Sequence, residues 1–173
     1  VRVLWLNGCF GSGKSATAAA LVAADPHRLL FDPELVGYLL WEIDPSLRAK
    51  DFRELRVWRR LVVDSAVTLL AEFERPLVVP MSLFSQDHLS VIDDLRGRGV
   101  TVDHVVLSVD EPELRRRILA QRKSDDDETD AGTRAFRLAQ LPAGLAMALD
   151  PPADARVLVT AGLPIVQAAA LLL

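Results

Sequence analysis

The eight residues from Gly8 to Ser15, GCFGSGKS, follow the apolar run Val3-Leu4-Trp5-Leu6 and satisfy the spacing G-x-x-x-x-G-K-[ST]. Such a loop needs a buried strand entering it and a helix leaving it. Both are readable, Val1 to Leu6 as strand and Lys14 to Ala24 as an alanine-rich helix. Each residue type answers to anion chemistry. Gly8, Gly11 and Gly13 let the backbone turn and approach a phosphate with no Cβ in the way. Successive amides of Gly11, Ser12, Gly13, Lys14 and Ser15, with Ala16 in the first helical turn, can gather anionic oxygens at the positive helix end. Lys14 is placed to reach the β- and γ-phosphates of ATP, and the Ser15 hydroxyl to ligate Mg²⁺.

Beyond the loop, strand and helix periods alternate to the end of the chain. This predicts an α/β protein with a parallel sheet between two helical layers. Further strands are expected at Arg28 to Phe31, Pro76 to Met81, Val102 to Ser108 and Arg156 to Thr160, five in all with the first. Helices are expected after Asp32-Pro33, from Phe52 to Phe73, Gln86 to Arg98, Glu111 to Arg122, and at the terminus. The 173 residues, half of them hydrophobic, suit a single domain spanning residues 1–173. Between Lys123 and Gly132, five carboxylates lie within the six residues from Asp125 to Asp130. Like charges this dense predict a mobile, solvated segment, read either as a disordered loop or as a lid over residues 123–137. Arg134 and Arg137, just beyond the segment on an expected helix, would give such a lid its phosphate contacts.

A net charge of -4 gives no basic footprint, which argues against a nucleic-acid partner and for a small soluble substrate. One cysteine, Cys9, excludes an internal disulfide; it reads as filler inside the loop, with oxidation sensitivity as the alternative. No secretory leader is readable before the first strand, so a cytoplasmic location is expected. The apolar tail from Leu163 to Leu173 is too short to cross a membrane and is expected to end a buried helix, leaving a peripheral membrane contact open. His27, His88 and His104 show no metal-ligand spacing. A monomer and a homodimer are equally compatible with these features.

In a parallel sheet, ligands collect at the carboxyl ends of the strands. Asp32 follows the second strand. It suits a helix cap, and its second carboxylate oxygen could accept a substrate proton; Glu34 is the weaker candidate. The third strand ends VVPMS without the acid that motor and switch ATPases carry there, which favours a small-molecule kinase with Met81 and Ser82 lining the acceptor pocket, Met81 as simple core being the other reading. Arg117 and Arg122 precede the acidic segment and could neutralise charge on a transferring phosphoryl group. Trp58 reads as core, with a stacking platform for substrate as the other reading. Lys50 and Asp51 read as a helix start.

The segments WLNGCFGSGKS, FDPELVG, AKDF with VWR, and LVVPMS resemble the TmrB-type tunicamycin-resistance proteins, relatives of the P-loop kinases that act on nucleosides, shikimate and chloramphenicol. The resemblance covers roughly Val1 to Arg122, and the DPE and VPM segments are its more specific parts. It implies a three-layer P-loop kinase-type fold with five parallel strands, ATP binding, and protection against tunicamycin, an acylated uracil nucleoside antibiotic. Kinase relatives place an acid after strand two on the acceptor, which falls on Asp32, and arginines before the lid, which fall on Arg117 and Arg122. The acidic lid departs from that pattern. Three functions follow as expectations: an ATP- and Mg²⁺-dependent phosphotransferase acting on tunicamycin, an ATP-dependent protein that sequesters the drug unmodified, and a general nucleoside or nucleotide kinase.

Overall fold

The computed structural model describes residues 2–122 and 125–173. Strand β1 (Arg2–Gly8) is buried from Val3 onward and runs two residues further than its apolar run suggests, carrying Asn7 and Gly8 into the sheet. The other strands are β2 (Leu29–Leu30), β3 (Leu77–Pro80), β4 (Thr101–Ser108) and β5 (Arg156–Val159). They form one five-stranded sheet in the order β2-β3-β1-β4-β5, with every pairing parallel. Parallel strands need crossovers, which put helices on both faces and the strand ends on one edge.

Period-2 alternation assigns the layers. Val3, Trp5, Leu77 and Val79 pack with helices α3 (Arg56–Phe73) and α4 (Gln86–Gly97). Leu4, Leu6, Val78, Val105 and Leu107 pack on the opposite face with α1 (Lys14–Ala24) and α8 (Ile165–Ala170). A smaller cluster of Cys9, Val109, Leu114, Ile118 and Leu141 lies beside the loop, under α5 (Glu111–Ala120) and α7 (Leu141–Leu149). Helix α2 (Glu34–Ile43) follows β2. No helix among the described residues is long and apolar enough to cross a membrane.

Four expectations change. The helix expected from Phe52 begins at Arg56, because Asp51 caps a separate 3₁₀ turn, Phe52–Glu54, by accepting from the Arg53 amide at 3.0 Å. The acidic segment is not irregular: Asp127–Ala139 is helix α6. Asp126 caps it, accepting from the Thr129 amide at 2.8 Å, and Asp127, Glu128 and Asp130 lie in the first turn. Carboxylates there meet the positive end of the helix dipole, so charges that repel each other in an extended chain stabilise this terminus. Lys123 and Ser124, in the same acidic stretch, lie outside the described residues. Helix α7 has no counterpart among the expected elements, and the terminal helix is shorter than its apolar tail.

Candidate functional site

The loop between β1 and α1 is held by its own geometry. Gly8 has φ 134°, and a Cβ there would lie 2.5 Å from the Leu107 carbonyl oxygen, so β4 admits no side chain at that position. Gly13 sits left-handed at φ 96° as the residue before α1. Asn7 pins the entrance: its Oδ1 accepts from the Gly8 amide at 2.7 Å and the Leu83 amide at 2.8 Å, while its Nδ2 donates to the Leu83 carbonyl at 3.0 Å. Ser82 closes the same corner by donating from Oγ to the Gly8 carbonyl at 2.9 Å.

Lys14 lies across the loop mouth, donating from Nζ to the Gly8 and Cys9 carbonyls, each at 2.8 Å. It is buried, and desolvation pulls its pKa down to about 7 against the pull of Cys9 and Glu34. Among the described residues, the hydroxyls of Ser12 and Thr17 are buried with no hydrogen-bond partner. A buried ammonium and two unsatisfied hydroxyls around a glycine cradle are what a polyanion would satisfy, so the residues present fit nucleotide phosphates. Ser15 is exposed at the first turn of α1, where its hydroxyl is free of the core and fits a Mg²⁺ ligand. Cys9 is packed instead, with its thiol pushed up to about 11 by burial, as filler rather than as a reactive group.

Two cavities open at this end of the sheet. One, about 630 Å³, runs from the loop past Pro80 and Ser82 to Arg117, Gln121 and the Leu163–Ile165 segment. The other, about 570 Å³, is walled by Tyr38, Trp41, Phe52 and Phe136, with Asp51 and Arg53 at its base. Phe10, Glu34 and Arg137 line both. Arg137, on α6, is buried, lies 5.4 Å from the Phe10 ring centre and donates to the Gln121 side chain. Arg53 is also buried. It forms a two-pronged pair with Asp51 and donates to the Ser82 carbonyl and to Gln140, both at 3.2 Å. Burial alone would raise the Asp51 pKa, but the Arg53 hydrogen bonds outweigh it and hold the carboxyl below its ordinary value.

The expected site residues divide. Gly8, Gly11, Ser12, Gly13, Lys14, Ser15 and Ala16 form the loop and the start of α1. Ser82 lines the loop-side cavity and Met81 the other. Arg117 reaches the loop, donating to the Gly11 carbonyl at 3.2 Å and to Glu113 at 2.7 Å. Asp32 caps α2, its Oδ1 accepting from the Glu34 amide at 2.9 Å, and lines neither cavity; the carboxylate between the cavities belongs to Glu34. Arg122 is not brought to the site: it pairs with Asp127 at 2.8 Å on an exposed surface. Trp58 is fully buried and donates to the Pro33 carbonyl at 3.0 Å, so it supports the start of α2 and offers no face to a substrate. Sequence reasoning missed Asp51 with Arg53, and the aromatic wall. The i, i+3 pair Tyr38 and Trp41 on α2 was the signal available.

A glycine loop leaving the central strand of an all-parallel sheet, with an exposed serine after the lysine, narrows the relationship, and residues 3–141 match the family of AAA domains. The chain belongs to the AAA-domain family. No curated protein sequence matches it. Among solved structures, this AAA-domain protein is similar to the tunicamycin resistance protein of Deinococcus radiodurans, with 25% identity, TM-score 0.69, and 99% of this chain and 93% of that chain covered. A sugar kinase from Janibacter sp. HTCC2649 has 15% identity, TM-score 0.66 and coverage of 99% and 92%. A gluconokinase from Sinorhizobium meliloti 1021 has 15% identity, TM-score 0.61 and coverage of 97% and 89%. The two kinases speak for the fold, which is of P-loop kinase type.

Proposed function

We propose that this AAA-domain protein is an ATP- and Mg²⁺-dependent phosphotransferase acting on a hydroxyl of a nucleoside-like compound, with tunicamycin the leading candidate. The observation that carries the reading is the meeting of two cavities at Glu34 and Arg137: one is lined by the phosphate loop, the other by aromatic rings. A donor and an acceptor held on either side of that junction would have their reacting groups between one carboxylate and one guanidinium. The similarity to the Deinococcus radiodurans protein supports the choice of drug.

The roles follow from position. ATP supplies the phosphoryl group. The loop amides and Lys14 would hold its phosphates, and Ser15 would hold Mg²⁺, which would neutralise charge on the phosphate oxygens. Glu34 takes the proton of the acceptor hydroxyl, with Asp32 fixing the first turn on which Glu34 sits. Arg137 faces both cavities and offsets charge on the transferring group, while Arg117 steadies the loop through the Gly11 carbonyl. Tyr38 donates to Glu34 at 3.0 Å and orients it. Aromatic walls suit a flat heterocycle such as uracil.

The rival reading is ATP-dependent sequestration of unmodified drug. The acid-free end of β3 favours it, since Pro80 stands at the last strand position and Met81 follows. Incubation with Mg-ATP and tunicamycin, followed by mass spectrometry for drug carrying one added phosphate, separates the two. Lys14→Ala serves as the control and uridine as the test for a general nucleoside kinase. Stoichiometric binding of drug and uridine with neither modified would leave sequestration standing.

A further inference from the structure

The side chain of Phe10 has no phosphate-binding chemistry, yet it sits on the phosphate loop and lines both cavities. Three cations gather on its ring: the Arg137 guanidinium carbon lies 5.4 Å from the ring centre, Lys14 Nζ 5.6 Å and the Arg53 guanidinium carbon 5.7 Å. All three side chains are buried, where like charges repel strongly, so their gathering needs an attraction. The negative face of an aromatic ring supplies one, and it is strongest where water is excluded. The two arginines are seated differently. Asp51 pairs with Arg53 and balances its charge. Arg137 meets the Phe10 ring and the Gln121 side chain, both neutral, while Glu34 and Asp130 attract it through space. A ring holds a cation without supplying a counter-charge, so the field of Arg137 stays available to phosphoryl oxygens entering the junction.

We infer that Phe10 is a positioning residue for phosphoryl transfer, its ring docking α6 on the phosphate loop and setting Arg137 at the junction of the two cavities. The inference rests on the phosphotransferase reading above and adds to it the loop residue through which Arg137 acts. Phe136 and Arg137 are consecutive on α6, so that helix brings the same ring both an aromatic contact, 5.8 Å between centres, and a cation. Phe84 meets it nearly at right angles from the other side of the loop, 6.0 Å between centres, which fixes the plane of the ring. Filling space beside Cys9, Leu114 and Ile118 would ask only for an apolar side chain of similar size. The three cations ask for a ring.

The test replaces Phe10 by mono-, di- and trifluorophenylalanine, which drain charge from the ring face at nearly constant shape, and adds Phe10→Leu and Phe10→Tyr. Two quantities are read: kcat for phosphorylation of tunicamycin or uridine, and amide hydrogen exchange of α6 in the ligand-free protein. Turnover should fall stepwise with fluorine, reaching about tenfold for the trifluoro ring and for Phe10→Leu, with KM for ATP within about threefold and Phe10→Tyr within about twofold of wild type. Exchange of the α6 amides should quicken in the same order, by about tenfold in Phe10→Leu. In an Arg137→Gln background, Phe10→Leu should lower kcat by less than about twofold, because its effect runs through that arginine. A kcat that is flat across the fluorine series, or losses that simply multiply in the double variant, overturns the inference and leaves the transfer reading intact. No phosphorylated product from the wild type with either acceptor overturns the transfer reading and the role in turnover. Docking of α6 by the ring is then decided by exchange alone, and rates that ignore fluorine overturn it as well.

Discussion

At the scale of single residues, Lys14 and Glu34 carry the sharpest consequences. With its pKa near 7 in the ligand-free protein, Lys14 is mostly neutral at pH 8, whereas phosphate oxygens placed against it favour the ammonium. ATP binding at pH 8 should therefore take up close to one proton, and affinity should fall as pH rises above 7. Titration calorimetry in buffers of different ionisation enthalpy reads that proton directly, and Lys14→Ala should remove it; proton-neutral binding by the wild type would refute the coupling. Glu34 and Asp32 are separable by the same logic of position. Glu34→Gln should lower kcat by about 10² to 10⁴ while sparing ATP affinity. Asp32→Asn keeps a capping oxygen and should leave turnover within a few-fold. A reversed pattern in steady-state kinetics would return the proton to Asp32.

At the scale of elements, α6 and α7 are where sequence reasoning and structure part. The phosphate loop, α1 and all five strands were legible because short-range rules decide them: a glycine spacing, a run of β-branched and apolar residues, an alanine-rich helix. The acid-rich start of α6 was misread because repulsion within the segment was weighed without the dipole of the helix it begins. Helix α7 was missed because LPAGLAMAL has weak periodicity and forms against tertiary partners. Gly144 shows the dependence, since a Cβ there would stand 2.4 Å from the Cys9 sulfur and 3.2 Å from the Phe84 ring. Gly144→Ala should cost about 1–3 kcal/mol in urea unfolding, with partial recovery on adding Cys9→Ala. Additive effects would mean that the two elements are not packed as described. Within residues 123–137, read as a possible lid, helix α6 keeps that reading as a proposal, because Arg137 lines both cavities from it. Its amides should exchange hydrogen more slowly once Mg-ATP is bound, and unchanged exchange would confine α6 to a static wall.

At the scale of the whole molecule, the functional edge of the sheet is tied to its centre through one polar chain. Asn7 grips the first loop amide and the Leu83 backbone, and its Nδ2 lies 3.2 Å from His104 Nε2 on the neighbouring strand β4. In that geometry the ring nitrogen accepts, so His104 is neutral with its proton on Nδ1, the side 4.0 Å from Asp154. Asp154 is itself paired with Arg96 on α4, so the chain runs from the loop to the opposite surface. Burial lowers the His104 pKa to about 4, with Asp154 and Asp103 pulling it up and Arg96 pulling it down. Between that value and the ordinary 6.5, the unfolded chain binds the proton and the folded one does not, so stability rises with pH across the window and is lost on acidification. The size is on the order of 3 kcal/mol, from 1.36 kcal/mol per pKa unit. His104→Gln cannot titrate and keeps a side-chain acceptor for Asn7. Urea unfolding at pH 7 and pH 4.5 should therefore show a smaller loss for the variant than for the wild type. Because protonated His104 would face Asn7 with two donors opposed, ATP affinity of the wild type should hold across that window and weaken only as pH falls through about 4, while that of the variant does not change there. Equal pH dependence of the two proteins would detach His104 from both stability and the loop.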